Sequence, residues 1–159
     1  MKLLEDIILK DSIEIKTSPE RIFDFLVHLV DDKSYRAWHP DDHVALEWIT
    51  GNPWEEGSIA RAQEYLHGKV HTLKFRVTRV IPSRHIEYAP TSRLLRLYFP
   101  RNAFAIEPQG AVCVFTATAH MRVGRLVKRF AGAKLETALD AVKKHMREEG
   151  EHLKRILEA

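Results

Sequence analysis

One cysteine, Cys113, stands among 159 residues. No disulfide can form within the chain, and such sparing use of cysteine fits a reducing compartment. No apolar run approaches the roughly 20 residues that a bilayer span needs. The opening segment, MKLLEDIILKD, is interrupted by Glu5 and Asp6 and makes a poor signal peptide. A cytoplasmic location is therefore expected, with no membrane partner. Glycine and proline number seven each, too few for a collagen-like or low-complexity chain. P-loop, strand-borne GxGxxG, GxSxG and CxxC signatures are all missing.

What is present is ordinary globular material, 45% hydrophobic and 30% charged. The length argues for one domain over residues 1–159, able to bury roughly 68–70% of its unfolded surface. Net charge is only +3, but residues 1–60 carry −7, residues 61–121 +6 and residues 122–159 +4. Arg76, Arg79, Arg84, Arg93 and Arg96 alternate with apolar residues, as on the wet face of a sheet. No nucleic-acid motif accompanies them, so no nucleic-acid partner is expected.

Ser12–Thr17 alternates as a strand does. Thr17-Ser-Pro-Glu20 then offers a helix N-cap, a first-turn proline and a capping-box glutamate. Pro40 denies a regular helix through Tyr35–His43, so that segment reads as a loop or broken helix. Val44–Ile49 reads as a strand. Ser58–Leu66, Val70–Ile81, His85–Tyr88, Leu94–Phe99, Ala103–Glu107 and Ala111–Arg122 read as an antiparallel meander. From Leu126 to Leu157 the period becomes helical, in one helix or two. Leu135, Ala138, Leu139, Val142, Met146, Leu153, Ile156 and Leu157 gather in an arc of roughly 100°. This predicts an α+β helix-grip fold, a curved antiparallel sheet around a long C-terminal helix, with a small-molecule cavity between them. The order resembles the START-like, or Bet v 1-like, superfamily of ligand-binding proteins and cyclases.

Glu149 is the informative anomaly. It falls inside the apolar arc, where a carboxylate needs a cation, a donor or a proton. His145 stands one turn earlier on the same face, so the two can converge on one point. Imidazole plus carboxylate is half of a zinc site, though from these two residues alone a structural His–Glu contact, or an arginine partner for Glu149, is slightly favoured. Upstream, His39-Pro-Asp-Asp-His43 crowds two imidazoles and two carboxylates behind Tyr35 and Trp38. The proline removes the spacing of a zinc-binding helix, and at most one of these histidines need point inward. In Ser58–Leu66, Ala60, Ala62 and Glu64 share a face suited to a cavity wall, although Ile59 and Tyr65 make the other face plausible too. His71 shares a face with Leu73, Phe75 and Val77, and His120 lies on a face that the sequence does not orient.

Tyr35, Trp38-His39-Pro40 and His43, with a later glutamate and the helical His145-x-x-x-Glu149, resemble the zinc-dependent diacetylphloroglucinol hydrolase family. The resemblance implies a zinc ion held by His43, Glu64, His145 and Glu149. It implies a substrate-contacting, catalytic Tyr35, with Trp38, His71 and His120 as further candidates for substrate contacts. The sequence departs from that family in being much shorter and in placing Leu46 where a polar amide is expected. The implied function is a zinc-dependent hydrolase that cleaves an acyl carbon–carbon bond of a small aromatic or phenolic ketone. The alternatives are a metal-free binding protein for a small apolar ligand and a polyketide cyclase-like enzyme. Either a monomer or a homodimer fits.

Overall fold

The computed structural model describes residues 3–159. Chain order is β1 (Leu4–Ile15), α1 (Pro19–Val27), α2 (Asp32–Trp38), β2 (His43–Thr50), β3 (Ile59–Leu66), β4 (Lys69–Ile81) and β5 (His85–Pro90). Then follow α3 (Arg93–Tyr98), β6 (Arg101–Gln109), β7 (Val112–Gly124), α4 (Arg125–Phe130) and α5 (Gly132–Glu158). The seven strands form one antiparallel sheet in the order β1-β7-β6-β5-β4-β3-β2. Alternation decides its faces. Ile15, Ala60, Val77, Ile86 and Phe115 point to the buried concave side and are each at most 1% exposed.

Ser18 caps α1 by accepting the Arg21 amide hydrogen, with Pro19 in the first turn. Asp31 and Ser34 form a reciprocal capping box that starts α2. Tyr35 to Trp38 are therefore helical, where the sequence suggested a loop or broken helix. Pro40 then ends the helix by forcing its neighbour His39 into extended backbone. Two other expectations change. Leu94–Phe99 is not a strand: Leu94–Tyr98 lies in α3 with Phe99 as its C-cap, because Ser92 caps a helix by accepting from Leu95 and the leucines recur at helical spacing. Arg93 and Arg96 thus sit on a helix, not on a sheet's wet face. The C-terminal helical region breaks at Ala131 into α4 and α5.

Helix α5 lies across the concave face closest to β1. Gly150 allows that approach, since a Cβ there would stand 3.2 Å from Ile13 Cγ2. The buried stripe of α5 is His145, Met146, Glu149, Gly150, Leu153 and Leu157. Leu135, Leu139 and Val142 are only half-buried and Ala138 is exposed, so the first half of α5 stands over the open end of the sheet. At that same end β2 begins, β3 ends, β6 begins and β7 ends. Among the described residues no helix is long and apolar enough to cross a membrane.

Candidate metal centre

The strand pairing sets His43, at the start of β2, directly opposite Glu64, near the end of β3. Helix α5 brings His145 and Glu149 over them from one face, as residues four apart must. One ligand atom from each of the four lies within 4.8 Å of all the others. His43 Nε2 is 2.9 Å from Glu149 Oε2 and 4.0 Å from Glu64 Oε1. His145 Nε2 is 3.3 Å from Glu149 Oε2 and 3.6 Å from Glu64 Oε2. Ligands about 2.0–2.2 Å from a tetrahedral zinc stand about 3.3–3.6 Å from one another. The four separations straddle that spacing.

The outer nitrogens are committed elsewhere. His43 Nδ1 donates to the Tyr35 carbonyl at 2.9 Å, and His145 Nδ1 donates to Asp42 Oδ2 at 2.8 Å. Both Nε2 atoms therefore present lone pairs to carboxylate oxygens unless a proton or a cation lies between. Without metal, the answer is a proton. Burial lowers the His145 pKa, but the carboxylates of Glu149 and Glu64 and the bonds to Glu149 and Asp42 outweigh it and push it up to about 11. Burial likewise raises Glu149, but His145 and His43 overcome it and hold its carboxyl far below the usual range. The site demands positive charge, and its donor set of two imidazoles and two carboxylates suits a divalent ion.

Further contacts lock the four side chains. The Tyr35 hydroxyl donates to Glu64 Oε1, and its ring stacks on His43 at 3.8 Å. Burial first, and the Glu64 carboxylate next, raise the Tyr35 pKa well above 10, so it remains a phenol. Trp38 is 2% exposed, and its Nε1 donates to the Glu149 carbonyl oxygen at 2.9 Å. Its contacts make it a brace for α5. The Glu64 side chain is 29% exposed and gives the site its opening to solvent.

Both histidines of His39-Pro-Asp-Asp-His43 are buried, where the sequence required at most one to point inward. His39 Nδ1 accepts the Asp42 amide hydrogen at 3.1 Å, which leaves the ring hydrogen on Nε2. That nitrogen points between Asp42 Oδ2 and Glu148 Oε1, 3.4 Å from each. His39, Asp42 and His145 also cluster closely enough to suggest a second metal site. The tautomer argues against it, because His39 Nε2 is a donor. Burial lowers the His39 pKa and keeps the ring neutral.

The other candidates scatter. His71 pairs with Glu64 in register, but it is exposed at the rim and its Nε2 bonds the Leu66 carbonyl. His120 falls away from the quartet. It lies on the convex face between Thr118 and Arg122 and bonds Asp6 at 2.9 Å. Its neighbours Ala119 and Met121 take the inward positions, and strand alternation turns His120 outward. A surface groove of about 890 Å³ beside α2, lined by Glu47, Arg61 and Gln63 among others, is also on the outer face and holds none of the quartet.

Two functional-looking residues escaped the sequence reading. Asp42 was visible only as part of a polar cluster. Tyr88, on the concave face of β5, packs against Phe75 and Phe104 at 4.9 and 5.9 Å between ring centres. Its hydroxyl makes no hydrogen bond among the described residues. Burial, then Glu149 and Glu64, push its pKa well above 10. The alternation of β5 was a signal for its facing, but nothing in the sequence says that its hydroxyl stays unpartnered.

A sheet gripping a long helix, with a polar quartet at its open end, defines a START-like, Bet v 1-like helix-grip protein. Within that class the chain belongs to the polyketide cyclase / dehydrase and lipid transport family, whose profile matches residues 6–158. No curated protein matches the sequence significantly. Solved structures share the fold. TTHA0849 from Thermus thermophilus superposes with a TM-score of 0.71 at 12% identity, over 95% of this chain and 97% of that one. Norcoclaurine synthase from Thalictrum flavum, in complex with dopamine and hydroxybenzaldehyde, gives 0.63 at 19% identity over 89% and 87%. The di-domain ARO/CYC protein BexL of the BE-7585A biosynthetic pathway gives 0.68 at 16% identity, over 97% of this chain and 50% of that one.

Proposed function

We propose that His43, Glu64, His145 and Glu149 form a zinc centre, and that the protein is a zinc-dependent hydrolase of small aromatic or phenolic ketones. The observation that carries this reading is the convergence of two Nε2 lone pairs and two carboxylates, with both Nδ1 atoms tied to acceptors. A zinc ion there supplies a Lewis acid that polarises an acyl carbonyl and makes water a stronger nucleophile near neutral pH.

The chain's own residues do the rest. Asp42 and the Tyr35 carbonyl hold the imidazoles in the ligating tautomer, and Trp38 braces the turn of α5 that carries Glu149. Tyr35 keeps Glu64 in place through its hydroxyl. Phe75, Tyr88 and Phe104 give an aromatic ring a dry wall to lie against. Tyr88, held as a phenol, donates a hydrogen bond to a substrate oxygen. Cleavage adds the oxygen of water to the acyl carbon and breaks its bond to the ring. The ring carbon takes a proton, and the Tyr88 hydroxyl is the candidate carrier, because the Tyr35 hydrogen is committed to Glu64.

A second reading, a metal-free cyclase-like enzyme or a carrier of small apolar ligands, is favoured by the family match itself. A relative of the same fold holds two small aromatics. To separate the readings, zinc-loaded and chelator-stripped protein are incubated with acylphenols, and carboxylic acid release is followed. Release that needs zinc and disappears in Glu149→Ala supports the hydrolase. A ring-closed product, or tight binding by stripped protein without turnover, supports the second reading instead.

A further inference from the structure

Helices α3 and α4 grow from adjacent strands at one end of the sheet. α3 leads into β6 at Arg101, whose register partner is His120 on β7, and β7 runs on to Gly124 and into α4. Both helices also pack beside β7. Their sequences, RLLRLY and RLVKRF, carry five basic residues and no acidic one. Neither helix buries a side chain. Leu94 is 67% exposed, Leu126 70% and Phe130 77%, and Leu97, Tyr98 and Val127 are exposed beside them. Large apolar side chains gathered at one end of a fold mark a contact surface.

The charges say what the contact is. Glu5 engages Arg125 and Lys128. Arg93, Arg96 and Arg129 have no carboxylate within 4 Å among the described residues, and the Arg129 guanidinium lies over the Phe130 ring. A second copy of this same face would bring like charges together. A partner that is apolar inside and anionic at its surface satisfies both halves of the pattern, and a bilayer of anionic phospholipid has that chemistry. We infer that α3 and α4 form a docking surface for anionic membranes. The expectation of no membrane partner followed from the missing span, whereas lying on a bilayer asks only for apolar side chains to dip in and cations to meet headgroups. The His43 and Glu64 ends of β2 and β3 are at this end of the sheet as well, so docking would set the open end of the grip toward the lipid. The inference stands or falls independently of any metal.

The test is co-sedimentation of the tag-free full chain with vesicles of phosphatidylcholine alone and of phosphatidylcholine mixed with phosphatidylglycerol. Binding is expected to the anionic vesicles and to weaken with salt. A cation near such a surface is worth about fivefold in affinity, so Arg96→Gln with Arg129→Gln is expected to weaken binding about 25-fold. Leu126→Ser with Phe130→Ser is expected to weaken it at least about tenfold, even at low salt. These side chains are exposed, and unchanged thermal unfolding of the variants verifies that the fold is kept. Absence of binding to anionic vesicles overturns the inference. So does binding indifferent to the Leu126/Phe130 change, which would be charge alone. A dimer by light scattering that Phe130→Ser splits would assign the face to a second copy and overturn it as well.

Discussion

Replacing Asp42 with alanine tests the ligand geometry without touching a ligand. Asp42 Oδ2 takes the His145 Nδ1 hydrogen at 2.8 Å, and that bond leaves Nε2 free to face Glu149 and Glu64. Removing it releases the ring to rotate and to exchange tautomers, and makes the imidazole a weaker base. Loss of such a partner costs about 10–100-fold in metal affinity. At about 1.4 kcal/mol per decade that is about 1.4–2.8 kcal/mol. The Asp42 side chain is 19% exposed, so water replaces the bond only in part. Asp42→Asn keeps an acceptor but not the charge, and its loss should lie near the tenfold end. Zinc affinity is read by competition with a chromophoric chelator, with thermal unfolding of the metal-free variants as the control for folding. Unchanged zinc affinity in a folded Asp42→Ala would refute the reasoning.

Four other outcomes follow from the same geometry. Without metal, His145, raised from its ordinary 6.5, contributes stability that is complete below 6.5 and lost as pH rises toward 11. Glu149, lowered from 4.5, contributes above 4.5 and loses its contribution as pH falls. Denaturant titrations of metal-free protein should therefore show this contribution at its fullest between pH 4.5 and 6.5. Zinc affinity should instead keep rising above that window, because metal must displace the His145 proton. Tyr88→Phe should leave thermal unfolding unchanged, since its hydroxyl has no partner to lose, while weakening binding of a phenolic ligand measured by calorimetry. His120→Ala, on the convex face, should leave zinc content and affinity unchanged by elemental analysis and chelator competition.

Two of the four candidate ligands, Glu149 and His145, were legible because burial and chemistry disagreed at Glu149. A carboxylate within an apolar helical arc demands a counter-charge, and His145 one turn away was the nearest candidate. His43 and Glu64 stood out in the polar cluster and on the strand face, and their role as ligands came from the family resemblance. The register that sets them opposite one another is a long-range property of β2 and β3. Asp42 was hidden for the same reason, because its partner is 103 residues away on α5. The strand assigned to Leu94–Phe99 failed because the competing signal was local, Ser92 acting as a helix cap. Both histidines beside Pro40 went inward because α2 and α5 enclose that corner together, which no spacing within nine residues could announce.

The central claim is that the quartet holds a metal, and the most direct measurement is elemental analysis of purified, tag-free protein beside His43→Ala and Glu149→Ala. The account predicts about one zinc per chain in the parent and none in either variant. A parent that takes up no metal even after zinc is supplied, or variants that retain it fully, would contradict the account.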